Sequence, residues 1–211
     1  MRIIAGEFGG RRIAAPDVDT TRPMLDRVRE SLFGTLGELV TDARVLDLYA
    51  GSGSLGLEAL SRGAQRVRFV EKFPAALTAL RSNVAALGVE GAVEVVRADA
   101  LDPVSWSANA FAVRGKKAQR EAAPEPAPAG ETAPQFDLVF FDPPYKLLDE
   151  PVARGKLLVA VDRILDEHLA PAGMFVFHAP AQASERMRLP SGRRGELRTY
   201  GTSLLAYLRK Q

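Results

Sequence analysis

The sequence contains no cysteine, one tryptophan and two histidines among its 211 residues. Without cysteine it can form no disulfide and no thiolate metal site, which fits an expected cytoplasmic location. The two histidines, His168 and His178, are read as structural, and no metal is expected. No apolar run is long enough to span a bilayer, and the N-terminus lacks the basic-then-apolar pattern of a signal peptide. Charge is nearly balanced, with 28 Lys and Arg against 26 Asp and Glu. The field of the whole chain therefore gives no argument for a nucleic-acid partner. Local clusters are more informative. Residues 183–211 hold seven Lys or Arg against two Glu, and Arg114, Lys116, Lys117 and Arg120 form a second basic group. Such patches can contact phosphates, although a solvated charged face is the commoner role.

Apolar strands alternate with helical patterns along most of the chain. Strands are expected over 44–49, 66–71, 93–97, 137–141 and 174–178, and helices over 55–62, 75–87 and 152–169. Residues 1–13 read as a short hairpin turning at Gly9-Gly10, and Val28, Leu32, Leu36 and Leu39 mark a helix over 26–40. Residues 196–209 hold the closing strands. This rhythm predicts an α/β fold with a mostly parallel sheet and helices on both faces. The length fits one domain over residues 1–211, with an N-terminal extension over 1–40. Residues 103–135 break the rhythm. Their second half is rich in Pro, Ala and Glu, and the stretch is expected to be a flexible insertion, with Trp106, Phe111 and Val113 docking its first half.

The first strand runs into Gly51-Ser-Gly-Ser-Leu-Gly56 and then a helix start. Gly51 and Gly53 permit tight turning and close approach of a ligand, beside a helix N-terminus whose free N–H groups attract negative charge. The pattern matches G-x-G-x-x-G, and Glu71 ends the next strand, as in a dinucleotide site. Asp47 does not belong to that pattern. A carboxylate there would repel a pyrophosphate and suits an amino group. S-adenosyl-L-methionine has an amino-acid end, a ribose diol for Glu71 and an adenine amine for a third acid, Asp99. Three acids at the C-terminal ends of successive strands lie where open α/β sheets bind ligands.

A fourth strand ends at Asp142-Pro-Pro-Tyr145. Proline fixes φ and removes a donor, and the residue before each proline is pushed to an extended conformation. The corner thus offers the Asp142 carboxylate and the Pro143 carbonyl as neighbouring acceptors, with Pro144 stiffening the turn and Tyr145 supplying a flat ring. That set suits the NH2 of a nucleobase.

Asp47, Gly51-Ser-Gly53, Glu71, Asp99-Ala100 and Asp142-Pro-Pro-Tyr145 resemble the motifs of Rossmann-like, S-adenosylmethionine-dependent amino-methyltransferases. Arg2-Ile-Ile-Ala-Gly6, Gly10-Arg-Arg12 and the 22–33 segment, with Arg22, Arg27 and Arg29, resemble the opening of the bacterial small-subunit ribosomal RNA guanine-N2 methyltransferases of the RsmD type. The resemblance covers nearly the whole chain outside about 103–135. It implies a seven-stranded sheet with an antiparallel last strand. It implies S-adenosyl-L-methionine held by Asp47, Ala50, Gly51, Ser52, Gly53, Glu71, Lys72, Asp99, Ala100 and Asp142. It implies RNA contacts from Arg11, Arg12, Arg22 and Arg27, and a partner in small-subunit ribosomal RNA within an assembling or assembled 30S subunit. The chain departs from the family at Met24-Leu25, where small hydroxyl residues are usual. A monomer is expected.

Other acceptors remain open at this point. Asp-Pro-Pro-Tyr also serves DNA adenine-N6 enzymes, although this chain has little room for a target-reading domain. A protein-glutamine enzyme would carry Asn at position 142. A nicotinamide-dependent reductase would use the glycine turn and have no need of the proline corner.

Overall fold

The computed structural model describes residues 1–16, 24–106 and 135–210. Seven strands form one sheet in the order β3-β2-β1-β4-β5-β7-β6. Five are parallel: β1 (Arg44–Leu48), β2 (Arg66–Glu71), β3 (Val93–Arg97), β4 (Phe136–Phe141) and β5 (Leu169–Pro180). β7 (Ser203–Leu208) runs antiparallel to β5, and β6 (Glu196–Tyr200) antiparallel to β7. Central strands of a parallel sheet are covered on both faces, so they read as unbroken apolar runs. Val45, Leu46, Val67, Phe69, Val70, Leu138, Val139 and Phe140 are all fully buried. A six-stranded dinucleotide-binding sheet has the order 3-2-1-4-5-6. The antiparallel β7 between β5 and β6 separates this fold from it, which argues against a nicotinamide reductase.

Helices α1 (Asp26–Leu36), α2 (Ser54–Ser61) and α3 (Pro74–Leu87) cover one face through Val28, Leu32, Leu57 and Leu80. Helices α4 (Tyr145–Asp149) and α5 (Pro151–Glu167) cover the other through Leu148, Leu157, Val161 and Ile164. α3 starts with proline at its first position, where the missing N–H costs nothing. α5 does the same, and the Glu150 carboxylate accepts from Val152 N (3.1 Å) and Ala153 N (2.5 Å). Along the chain, β1, β2 and β3 progress to one side, and β4 returns to the far side of β1. The crevice between the C-terminal ends of β1 and β4 is therefore the topological switch point.

Residues 1–13 form the expected short hairpin, with one antiparallel bridge, Arg2 to Arg12, and backbone bonds from Ile3 N to Arg11 O (3.0 Å), Gly10 N to Ile3 O (2.9 Å) and Ile13 N to Met1 O (3.1 Å). Side chains of the helices beneath it hold it in place. Glu58, fully buried on α2, accepts from Ile4 N (2.7 Å) and Ala5 N (3.1 Å). Ser61 Oγ accepts from Phe8 N at 2.9 Å. Asn83 of α3 accepts from Ala14 N (2.7 Å) and donates to the carbonyls of Ala14 and Ser52 (both 2.9 Å). Residues 1–16 are thereby stapled to the two helices that flank the glycine turn.

Three details depart from the sequence reading. The helix over 26–40 stops at Leu36, and Gly37–Val40 tighten into a 3-10 turn, because Gly37 takes φ 49°. α4 was not foreseen. β5 begins at Leu169 and runs through Pro171 and Gly173, with an irregular register opposite Phe136–Leu138, so His178 lies inside the strand. Of the expected insertion, Trp106 docks as expected, donating from its indole to Ala100 O at 2.8 Å. Phe111, Val113 and the basic residues 114–120 lie outside the described residues, as does Arg22.

Candidate active site at the C-terminal edge of the sheet

Register alone assembles the site. Leu48 pairs with Val70 and with Phe141, and Phe141 pairs with Phe177. One step further along each strand, Glu71, Tyr49, Asp142 and His178 stand at one level. Asp47 sits two residues earlier than Tyr49, beneath the turn, opposite Phe69 and Phe140.

The turn is built by alternating backbone handedness. Tyr49 takes φ 61°, Gly51 57° and Gly53 80°. A left-handed tyrosine is strained, and it is braced by edge-on packing against Phe141 at 5.4 Å. Burial pushes the Tyr49 phenol up, and Asp99 and Glu71 push it further, so it stays protonated. A side chain at Gly51 would meet nothing closer than Tyr49 O at 4.0 Å, so this position faces open space. Gly56 is the opposite case: a Cβ there would come within 2.3 Å of the Phe69 ring. Its absence lets α2 lie directly on β2.

Asp47 is 1% exposed, and its Oδ2 accepts from Gly56 N at 2.9 Å. It thus anchors the first turn of α2. Burial raises its pKa well above the usual carboxylate range; the Gly56 N–H opposes this, and Asp142 and Glu71 add to it. A carboxyl with a raised folded pKa stabilises the fold fully below its unfolded pKa, and that contribution is lost as pH rises through the folded value. Asp47→Asn keeps the acceptor for Gly56 and removes the buried charge. It is expected to be more stable than the parent at pH 8, by about 1–2 kcal/mol. The difference should vanish near pH 3.5. Denaturant titrations at the two pH values check this; equal stability at pH 8 would contradict it.

Glu71 uses both oxygens on backbone. Oε2 accepts from Gly51 N (2.9 Å), and Oε1 accepts from Lys72 N (2.7 Å) and Phe73 N (2.8 Å). A carboxylate has about four acceptor sites, so these three bonds leave one unused. Asp99 accepts from Leu101 N (3.0 Å) and pairs with Lys72 Nζ (3.0 Å). Partial burial pushes its pKa up, but Leu101 and Lys72 outweigh this and hold it below the usual value. The Phe73 ring is 53% exposed beside this pair, with Lys72 Nζ 5.5 Å from its centroid. Ala50, Ser52 and Ala100 are all buried, beneath the turn and the end of β3.

Asp142 ends β4 with its side chain 28% exposed. Its Oδ1 lies 2.7 Å from His178 Nδ1, and His178 Nε2 lies 3.2 Å from the Tyr145 hydroxyl. Pro143 is buried, while Pro144 and Tyr145 are partly exposed at the start of α4. His178 itself is 3% exposed. Sequence reasoning set it aside as structural, and only its place one step beyond the Phe141–Phe177 pair could have signalled it. Tyr49, Phe73 and α4 were also missed. Among the four arginines expected to touch RNA, Arg11 donates to Ala86 O at the end of α3. Arg12 is exposed near Arg2 and Asp26, and Arg27 lines an open groove of about 420 Å³ with Ser31, Tyr200 and Gly201.

The edge is thus lined by carboxylates, with Gly51 open between them. It repels phosphate and suits a cation carrying hydroxyl and amino donors, which fits S-adenosyl-L-methionine. Among the described residues, no helix is long and apolar enough to cross a membrane.

A family model described as conserved hypothetical protein 95 matches residues 1–114. The Bacillus subtilis protein YlbH, named as an rRNA methyltransferase, is 37% identical over 146 residues, covering 69% of this chain and 67% of YlbH. Ribosomal RNA small subunit methyltransferase D of Escherichia coli is 45% identical over 101 residues, covering 48% of this chain and 50% of that one. The matched stretches thus span about half to two thirds of these relatives. Among solved structures, the Escherichia coli protein yhhF, titled a methyltransferase, superposes with a TM-score of 0.71 at 27% identity, covering 100% of this chain and 99% of that chain.

Proposed function

Because this chain belongs to the conserved hypothetical protein 95 family, which includes the ribosomal RNA small subunit methyltransferases D, we propose that it methylates the exocyclic N2 amine of a guanine in small-subunit ribosomal RNA. The observation that carries this reading is the Asp142-Pro-Pro-Tyr145 corner, set at the switch point beside a carboxylate-lined edge. S-adenosyl-L-methionine, when bound, supplies a methyl group on a positively charged sulfur.

The chain's own residues do the rest. Asp47, Glu71 and Asp99 give the edge negative potential, which favours a sulfonium and an ammonium. The remaining acceptor site of Glu71 takes a ribose hydroxyl, and Asp99 an adenine amine, with the exposed Phe73 ring against the base. Ala50, Gly51, Ser52, Gly53, Lys72 and Ala100 shape the floor and rim of this site. The lone pair of a guanine N2 is delocalised into the ring, so the amine is a poor nucleophile. Asp142 Oδ2 and the Pro143 carbonyl accept its two N–H bonds, which favours a pyramidal nitrogen and stabilises the positive charge that builds there. Pro144 keeps the corner rigid. Tyr145 stacks on the base, which must be unstacked from the RNA to reach the corner. Bound S-adenosyl-L-methionine would give its methyl group to this nitrogen and leave as the neutral thioether, and Asp142 and solvent would take the proton that nitrogen releases. Arg12, Arg22 and Arg27 contact RNA phosphates; Arg11 is engaged with α3 and contributes less. The protein acts as a cytoplasmic monomer on the 30S subunit or its precursors.

The test is methyl transfer from labelled S-adenosyl-L-methionine to small ribosomal subunits and to their naked RNA, followed by nucleoside analysis. Label in N2-methylguanosine is expected. Label in another nucleoside, or none in the presence of measured cofactor binding, would overturn the assignment.

A further inference from the structure

His178 has no part in the mechanism above, yet it joins the two side chains that mechanism depends on. Its ring is 3% exposed and lies between Asp142 Oδ1 (2.7 Å) and the Tyr145 hydroxyl (3.2 Å). The Tyr145 and His178 rings also meet edge-on at 5.7 Å. We propose that His178 is a positioning residue, which selects the carboxylate oxygen and the ring orientation that the corner presents to the base. The inference rests on the proposed methyl transfer.

The proton count fixes the tautomer. An ionised carboxylate only accepts, so Nδ1 must carry the hydrogen facing Asp142. With the single ring proton on Nδ1, Nε2 keeps a lone pair, which accepts from the Tyr145 O–H. Three consequences follow. Oδ1 is occupied, so Oδ2 is the oxygen turned to the cleft. The carboxylate is fixed at one rotamer by a buried, strand-borne group and not by solvent. The tyrosine is held from its hydroxyl end, which fixes the orientation of its ring. All three depend on the parallel β4–β5 register, since Phe141 pairs with Phe177 and the next residue on each strand is Asp142 or His178. His178 is in turn held by pairing with Leu205 on β7, so the antiparallel insertion strand backs the corner.

Two substitutions separate the two bonds. His178→Phe keeps the ring and removes both. His178→Asn keeps a donor near the Nδ1 position, so it retains the bond to Asp142 and loses the one to Tyr145. For His178→Phe, kcat is expected to fall about 100-fold, the scale of a small misplacement of a reacting group. KM for RNA and cofactor affinity by calorimetry should stay within about threefold. His178→Asn should recover at least tenfold of the loss. Tyr145→Phe should cost severalfold in the parent and nothing further in His178→Asn, because coupled residues do not add. A His178→Phe enzyme that folds and binds cofactor, with kcat within threefold of the parent, would overturn the inference. So would His178→Asn being no better than His178→Phe. Nitrogen chemical shifts of the imidazole give a readout free of turnover: Nδ1 protonated and Nε2 bare is expected. The opposite tautomer overturns the inference whatever the activity, whereas a parent enzyme that shows the expected tautomer and methylates no RNA would refute only the proposed reaction.

Discussion

Asp142→Ala is expected to lower kcat for methyl transfer by about a thousandfold, while cofactor affinity changes less than tenfold. The variant removes the charged acceptor from the attacking amine, and loss of a single preorganised group at a developing charge costs about 10²–10³ in rate. It also frees His178 Nδ1–H and with it the orientation of Tyr145, so the loss should reach the upper end. Cofactor binding is spared because Glu71 and the glycine turn are held by separate bonds, from Gly51, Lys72 and Phe73. Asp47 and its bond to Gly56 are likewise untouched. Single-turnover rates with saturating RNA, beside calorimetry of cofactor binding, measure both quantities. Retention of a tenth or more of the parent rate would remove Asp142 from the reaction.

Glu58→Ala should be the most destabilising single change in the N-terminal half. The carboxylate is fully buried, yet it serves Ile4 N, Ala5 N and Arg62 Nε (2.7 Å), and lies 3.8 Å from Arg29 Nε. Arg29 is also fully buried, donating to Arg2 O (2.5 Å) and to Asp26 (3.0 Å), and its Nε and Nη1 find no hydrogen-bond partner among the described residues. Burial already pushes the Arg29 pKa down, against the opposing pull of Asp26 and Glu58. Deleting one partner of a buried ion pair strands the other, at a cost of about 3–5 kcal/mol. For a chain of this size that corresponds to roughly 6–20 °C in Tm. The first 16 residues should loosen together, and with them the Asn83 bridge to the glycine turn. Denaturant unfolding measures the first effect. Increased hydrogen exchange at Ile4, Ala5 and Phe8 reports the second. An unchanged midpoint would show that Glu58 contributes nothing to holding the segment.

These two carboxylates mark the limit of what can be read along the chain. Asp142 was legible because its neighbours in sequence define it: two prolines and a tyrosine after an apolar run need no distant partner to be recognised. Glu58 was not, because an acid on a helix reads as exposed until the segment that covers it is known. The same holds for His178, which is 36 residues from Asp142 and 33 from Tyr145. It also holds for the pairing of Lys72 with Asp99, 27 residues apart.

The strands β2 and β3 have the bounds that their apolar runs predict, and the acids Asp47, Glu71 and Asp99 lie at or near the ends of successive strands, because periodicity and strand order are local properties. Backbone handedness at Tyr49 and the docking of the hairpin over 1–13 were not local. They follow from packing against Phe141 and from bonds to Glu58, Ser61 and Asn83. The sequence by itself determined the alternation of elements, the carboxylates at the strand ends and the rigid corner, each encoded within a few neighbouring residues. The tertiary structure alone decided that Asp142 meets His178 and which acid holds the N-terminal segment, since packing brings together residues that no short stretch of chain contains.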